Sequence, residues 1–386
     1  MINRRAQLPE VGKSRADDIS SPAVSETPQD LSAQLVAALR DIGITADVRD
    51  LTHGPRITRY RVFLPDINQL DKLRNGMERL GLVLGLQNAL PSISSGDQAK
   101  TVFLDLPRPR PTWENKTIKD LRDWVSNDPY DAEKLLVYPG VDVLGRAFSF
   151  DLAVAPHLLV GGATGQGKSV CLHSLILSLL LKHKPDVLRL ALIDPKQVEF
   201  SVYQNISHLW GEGVAVNITD ARQRIRDLVD EMDDRYARFN ELGVSNIIEA
   251  RRKNRNLRIP NIVVFIEELA DLVMQDRDIE DEIVRLAQLA RAAGIHLVLA
   301  TQRPDAKTFS GLIRSNVPAR IALTVQKSSE SKIILDEVGA EKLLGAGDMY
   351  VKTTGSAPTR VHGVYVSRSD VEEILKRVGG ELPATA

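Results

Sequence analysis

An eight-residue run, Gly162-Ala163-Thr164-Gly165-Gln166-Gly167-Lys168-Ser169, constrains this chain more than any other stretch. It fits the pattern G-x-x-x-x-G-K-[ST]: the glycines let backbone N–H groups turn inward, the lysine reaches the β- and γ-phosphates, and the hydroxyl faces a divalent cation. The flanks agree with the motif. Leu158-Leu159-Val160 is an apolar strand entering the loop, and Val170 to Leu181 is an apolar helix leaving it. The N-terminus of that helix adds partial positive charge where phosphate would sit. Gly162 to Ser169, with Val170, are therefore the candidate ATP-binding residues, with Ser169 also a metal ligand.

The rest of the C-terminal two thirds supplies a sheet for this loop. His157–Val160, Leu188–Ile193, Ile262–Ile266, Ile295–Ala300 and Arg320–Val325 are short and apolar throughout. The segments between them carry helical stripes, as in Ile225, Leu228, Met232, Tyr236 and Phe239. Strands without a polar face, alternating with helices, indicate a mainly parallel sheet covered on both sides, hence an α/β fold.

A phosphate loop needs an acid at the end of a neighbouring strand. Ile262-Val263-Val264-Phe265-Ile266-Glu267-Glu268 has that form. Glu267 is expected to hold Mg²⁺ directly or through its water, and Glu268 to polarise the attacking water. An Asp is usual at the first acid, and Glu267 is one methylene longer. Gln302, at the end of a third strand, is the candidate γ-phosphate sensor. Arg291, at an element end, is either a finger for a neighbouring subunit or a plain surface arginine. Asp194, also at a strand end, either contacts the site through water or caps its loop.

Composition narrows the class further. Fifty Lys+Arg against 51 Asp+Glu give a formal charge of −1, so bulk charge carries no argument for nucleic acid. A local basic channel remains open to the chain, since screening confines charge effects to about 10 Å. One cysteine, Cys171, excludes an intramolecular disulfide and suits a reducing cytosol. No apolar run approaches the roughly 18 residues of a membrane span, so a cytoplasmic protein with no membrane contact is expected.

The N-terminal part divides in two. Residues 1–30 are rich in Ser, Pro and Asp and read as a disordered segment, or as a linker remnant of a longer chain. Residues 31–138 read as a small α+β domain: helices at Leu31–Leu39 and Ile67–Leu80, and strands at Arg56–Leu64 and Lys100–Leu106. Arg59 and Arg61 fall on the wet face of the first strand. With Arg56 and Tyr60 they could meet nucleic acid, but the wet side of a sheet is the favoured reading. The larger domain is read as residues 139–386. The run Arg251-Arg252-Lys253-Asn254-Arg255 is favoured as a solvated helix end.

Several collinear motifs resemble the FtsK/SpoIIIE family of DNA translocases. They are Val141-Asp142-Val143-Leu144-Gly145-Arg146, the phosphate loop, Ile193-Asp194-Pro195-Lys196, Glu267-Glu268-Leu269-Ala270-Asp271-Leu272, Arg291-Ala292-Ala293-Gly294 with Ala300-Thr301-Gln302-Arg303-Pro304, and Leu343-Leu344-Gly345 with Gly347-Asp348-Met349. The resemblance implies a RecA-like P-loop NTPase motor preceded by a smaller domain. It further implies a homohexameric ring around double-stranded DNA, with ATP and Mg²⁺ bound between subunits. Carried over, Arg291 resembles the finger, Arg303 and Arg314 basic loop positions facing DNA, and Lys332 a basic residue of a second pore loop. Ser328 stands where another Lys would be expected, beside Lys327.

The sequence resembles the motor alone, as a shortened chain or as a free-standing translocase of a mobile element or an anti-phage defence system. Two other functions stay open. One is a conjugation-type coupling ATPase or helicase on single-stranded DNA. The other is an ATP-binding assembly platform with little turnover that recruits an effector protein.

Overall fold

The computed structural model describes residues 29–86, 90–254 and 257–378. The segment read as disordered, 1–30, lies outside the described residues except for its last two, as does Arg255 of the basic run.

Nine strands form the larger sheet: β5 (Leu136–Asp142), β6 (Ala147–Asp151), β7 (His157–Gly161), β8 (Leu188–Ile193), β9 (Asn261–Ile266), β10 (Ile295–Thr301), β11 (Ala319–Leu323), β12 (Asp348–Lys352) and β13 (Thr359–Gly363). Four strands precede them: β1 (Asp47–His53), β2 (Ile57–Phe63), β3 (Ser92–Ser95) and β4 (Thr101–Pro107). The larger sheet runs β6-β5-β13-β12-β11-β7-β10-β9-β8. From β11 to β8 the five strands are parallel; β12, β13, β5 and β6 extend the sheet by antiparallel pairing. The apolar runs of the sequence are the five parallel strands. Alternate residues face opposite layers. Leu158, Val160, Val263, Phe265, Val298 and Ala300 join the helices Lys168–Lys182 and Arg368–Arg377 in one core, while Leu159, Ile262, Val264, Leu297 and Leu299 join Ile218–Leu242 and Asp278–Leu289 in the other. Each such side chain contributes roughly 1.5–3 kcal/mol by leaving water.

The helix Ile218–Leu242 shows how local chemistry sets these elements. Asn217 caps it by accepting from Asp220 N, the buried stripe Ile225, Leu228 and Met232 faces the sheet, and Phe239 packs in a small separate cluster with Ile247, Ala250 and Ile259. Gly243, at φ +62°, ends it in the left-handed conformation that glycine adopts without strain.

The four N-terminal strands form a separate antiparallel sheet, β1-β2-β4-β3, over a core that includes Leu35, Leu39, Tyr60, Val62, Leu104 and Leu106. The expected helix at 67–80 is broken into a 3-10 turn and two short helices that meet at Gly76. The wet face of β2 is not a free basic surface. Arg59 is held bidentately by Asp105 (2.7 and 2.8 Å), Arg61 pairs with Asp97 and Asp50, and Arg56 is buried. The division at 138/139 falls inside β5. Leu121 and Val125, on the helix Ile118–Asn127, pack in the larger core, so this helix sits with the larger sheet. Among the described residues, no helix is long and apolar enough to cross a membrane.

Candidate active site

Parallel strands place every loop that follows them at one edge of the sheet, and β7, β10 and β11 are neighbours. The loop after β7 is the glycine run, with Gly165 and Gly167 at φ +76° and +99°. A Cβ on Gly162 would lie 2.8 Å from that of Leu323, and one on Gly167 would lie 3.0 Å from the backbone of Gly347. Glycine is needed at both positions for close approach of chain to chain.

Lys168 and Glu267 are brought together. Lys168 Nζ donates to Glu267 Oε1 at 2.6 Å and to the Glu267 carbonyl at 2.7 Å, with both side chains about 3% exposed. The second carboxylate oxygen of Glu267 is buried and has no partner. Burial pushes the Glu267 carboxyl above its ordinary value, and Lys168 opposes the shift without cancelling it. A carboxylate so placed has spare capacity for a cation.

Glu268 is equally buried. Its Oε1 accepts from Thr301 Oγ1, and the backbone N–H of Gln302 reaches both of its oxygens at 3.1–3.2 Å. Gln302 turns its side chain to the phosphate loop, where Oε1 accepts from Thr164 Oγ1 at 2.6 Å. The sensor candidate is thus bonded directly to the loop.

Ser169 is not beside Glu267 in its hydrogen bonding. Its hydroxyl donates to Glu199 Oε1 at 2.5 Å. Glu199 lies on the loop after β8, three strands from β7, and this loop is folded back by Asp194, a fully buried carboxylate that accepts from the N–H groups of Lys196, Glu199 and Phe200. Of the two readings for Asp194, the structure gives the loop cap. Lys196 reaches Asp271 at 2.9 Å and Glu268 at 3.8 Å. Sequence reasoning missed Glu199 and Lys196 as site residues. The only signal was a strand end followed by charged residues, which does not say where a loop returns.

These donors fit a hard divalent cation. The Ser169 hydroxyl, the Glu199 carboxylate and the free oxygen of Glu267 are all oxygens. Among the described residues, no group of three or more His, Cys, Asp or Glu side chains forms a metal cage alone. Mg²⁺ is held by one or two protein oxygens together with phosphates, and the Ser169 hydroxyl and the unpartnered Glu267 oxygen are donors of that kind.

Arg291 is elsewhere. It is exposed in the turn between the helix Asp278–Leu289 and the start of β10. Gln302 follows the other end of that strand, whose seven residues span about 20 Å. Arg291 and the glycine loop of the same chain therefore lie at opposite edges of the sheet. Arg303, Ser328 and Lys332 are exposed on the loop after β10 and the helix after β11, on the glycine-loop side. Ser328 and Lys332 share a helix face. Arg314 is half-buried and leans on the Phe309 carbonyl and Asp336. The basic run is tied up at Arg251, Arg252 and Lys253, by the Ile259 carbonyl, Glu133 and the Leu242 carbonyl. Cys171 is buried in the core, its thiol pushed up to about 12 by burial.

Comparison with known proteins bears on the family and the fold. Residues 121–306 match the model of the FtsK/SpoIIIE family. The chain is 40% identical over 361 residues to "DNA translocase FtsK" of Streptococcus agalactiae serotype V, covering 88% of this chain and 42% of that protein. It is 38% identical over 364 residues to the protein of the same name from Bacillus cereus, covering 91% and 45%. The chain thus spans less than half the length of these relatives. Among solved structures it is similar to the pCW3 conjugation coupling protein TcpA in monomer form with ATPgS (TM-score 0.62, 25% identity, 90% of this chain and 98% of that one). It also shares the fold of the cytoplasmic domain of the type VII secretion ATPase EccC of Thermomonospora curvata (TM-score 0.61, 24% identity, 70% and 35%). The larger sheet with its glycine loop is a RecA-like P-loop NTPase fold, and the chain belongs to the FtsK/SpoIIIE family.

Proposed function

We propose that this chain is an ATP-driven motor that moves along double-stranded DNA as a homohexameric ring. The observation that carries the reading is the meeting of Lys168, Ser169, Glu267, Glu268 and Gln302 at one sheet edge, in a chain about 40% identical to DNA translocases over most of its length. Lys168 leaves Glu267 for the phosphates when nucleotide enters. Ser169 and Glu267 would hold Mg²⁺, which would supply positive charge to offset that of the phosphates. Glu268 orients the attacking water, and Thr301 and Gln302 N–H hold its carboxylate in place. Arg291, remote from its own glycine loop, serves the site of a neighbouring subunit, where it stabilises charge on the transferred phosphoryl group. Arg303, on the loop that follows Gln302, and Arg314 and Lys332, on the helices Gly311–Asn316 and Ser328–Leu335, carry the movement to the DNA backbone. The single buried cysteine supports a cytoplasmic placement.

Steady-state ATP hydrolysis with linear duplex, with single-stranded DNA and with neither tests the reading. The expected result is stimulation by duplex in preference to single strands. Equal stimulation by single strands favours the conjugation-type coupling ATPase or helicase on single-stranded DNA. A second reading draws on the Lys168–Glu267 pair, which holds the phosphate-binding lysine in a dry contact: an assembly platform that binds ATP with little turnover. Tight binding without hydrolysis on either DNA is its signature.

A further inference from the structure

Arg56, in the turn between β1 and β2 immediately before Ile57, is 4% exposed and buried against the larger fold. Its Nη1 donates to the carbonyl of Ala346 at 2.8 Å, its Nη2 to Asn115 Oδ1 at 3.1 Å, and its guanidinium lies 4.9 Å from the centre of the Trp113 ring. Its Nε is buried without a partner. Two hundred and ninety residues thus separate the ends of one buried hydrogen bond.

Ala346 is an unusual acceptor. Gly345, Ala346 and Gly347 are three consecutive left-handed residues, at φ +78°, +50° and +84°. Alanine pays for that conformation in strain, so surrounding contacts hold it there. They are of two kinds. On one side, Gly347 N donates to the carbonyl of Gln166 at 3.0 Å, inside the phosphate loop. Gly345 N donates to Thr324 Oγ1, and the carbonyl of Thr324 accepts from Ala163 N, again inside the loop. On the other side, buried Asp348 accepts from Leu344 N at 2.8 Å and from Arg360, which fixes the base of the turn. The turn is thus bonded to the phosphate loop through Gly345 and Gly347, anchored at its base by Asp348, and bonded through Ala346 O to Arg56 at the entry to the small sheet.

We infer that Arg56 is a positioning residue which, through the Ala346–Gly347 turn, sets the conformation of the phosphate loop at Gln166 and passes phosphate occupancy to the small sheet. The inference rests on the nucleotide reading above. A strained turn held from two sides has few arrangements, so a shift of the Gln166 carbonyl when phosphate binds moves Ala346 O, and Arg56 with it. Linkage makes the effect reciprocal: loss of Arg56 weakens nucleotide binding by the factor with which nucleotide orders the Arg56 contact.

The experiment uses the full chain with ATPγS and Mg²⁺. Calorimetric titration gives the Kd, tryptophan emission follows Trp113, and thermal unfolding establishes that each variant is folded. ATPγS is expected to change the emission of the wild-type chain, and Trp113→Phe to remove that change. Arg56→Ala is expected to weaken ATPγS about tenfold, within the usual range of coupling between sites, and Arg56→Lys to recover most of it. A folded Arg56→Ala with the wild-type Kd, or an emission change that survives in Trp113→Phe, overturns the inference. Should Arg56→Ala not fold, Asn115→Ala, which leaves Arg56 in place with one anchor fewer, is expected to weaken binding about threefold, and an unchanged Kd there also overturns it. Failure of the wild-type chain to bind ATPγS refutes the nucleotide reading itself and the relay with it; that result appears before any substitution is made.

Discussion

Asp348→Asn is the most informative single change outside the nucleotide loop. Asp348 is fully buried and faces Arg360, whose side chain is 7% exposed, at 2.6 Å from Nη2 and 3.2 Å from Nε. Burial alone would raise its carboxyl, but Arg360 and His362 overcome it and hold the group well below the ordinary carboxylate range. The negative charge is thus favourable in the folded chain, and Asn removes it while keeping the shape. Arg360 is left as a buried charge without its counterion, a loss of about 3–5 kcal/mol. In a unit the size of the larger sheet and its helices, each kcal/mol moves Tm by roughly 2–4 °C, so the expected drop is about 6–20 °C. The sign of the pH dependence follows. A depressed folded-state value contributes stability that is present above the unfolded value, about 3.9, and is lost as pH falls below it. The gap between wild type and Asp348→Asn should therefore be constant from pH 8 to pH 6 and narrow only below about pH 4. Thermal unfolding by circular dichroism across that range measures it. A Tm within about 2 °C of wild type at pH 7, or a gap that closes between pH 7 and pH 5, would show that Asp348 and Arg360 are not a charged pair in the folded chain.

Three further outcomes are expected. The buried rings of His157 and His296 are held near pKa values of about 3 and about 4, by burial first, with His296 adding to the shift of His157 and the Arg235 and Arg291 charges to that of His296; Leu297 N also donates to His157 Nδ1, which requires that nitrogen to be unprotonated. Depressed histidines lose stability as pH falls from about 6.5, by roughly 3–5 kcal/mol each once both rings are protonated, so Tm should fall on acidification and His157→Asn, which keeps an acceptor, should flatten the slope. Lys168→Ala should abolish ATP binding and Arg291→Ala should spare binding but stop hydrolysis, while an equal mixture of the two inactive chains should recover about a quarter of wild-type turnover in a shared ring; no recovery in mixed assemblies would remove the finger role. Arg303→Ala and Lys332→Ala should each lower the salt dependence of duplex binding by about one unit of slope without altering sequence preference, as a filter-binding salt series will report.

The sequence made some parts of this molecule legible for a clear physical reason. Strands β7 to β11 are buried on both faces, so Ile262–Ile266 or Ile295–Ala300 stand out as unbroken apolar runs. The antiparallel half does not. Strands β5, β12 and β13 interrupt their apolar residues with Pro139, Gly140, Asp348 and Arg360, and their pairing is set by neighbours far along the chain. The site divides in the same way. Lys168, Ser169, Glu267 and Glu268 sit in local patterns tied to strand ends. Glu199 reaches Ser169 because a buried Asp194 folds its loop back, and Arg56 reaches Ala346 across two sheets; neither contact has any local pattern to announce it.

The placement of β13 bears on how the chain is made. Strand β5, which precedes the phosphate loop, pairs with β13, which follows it by nearly two hundred residues, and the hairpin of β12 with β13 carries the turn whose Gly347 N–H meets Gln166. At about 5–20 residues per second, the roughly 190 residues between Ser169 and Gly363 occupy a ribosome for about 10–40 s. Throughout that interval the emerging chain displays every residue of its nucleotide motif without the turn that backs it. The turn that backs the phosphate loop is therefore in place only near the end of synthesis, and a chain stopped just after β11 would keep the whole motif without the bond from Gly347 to Gln166.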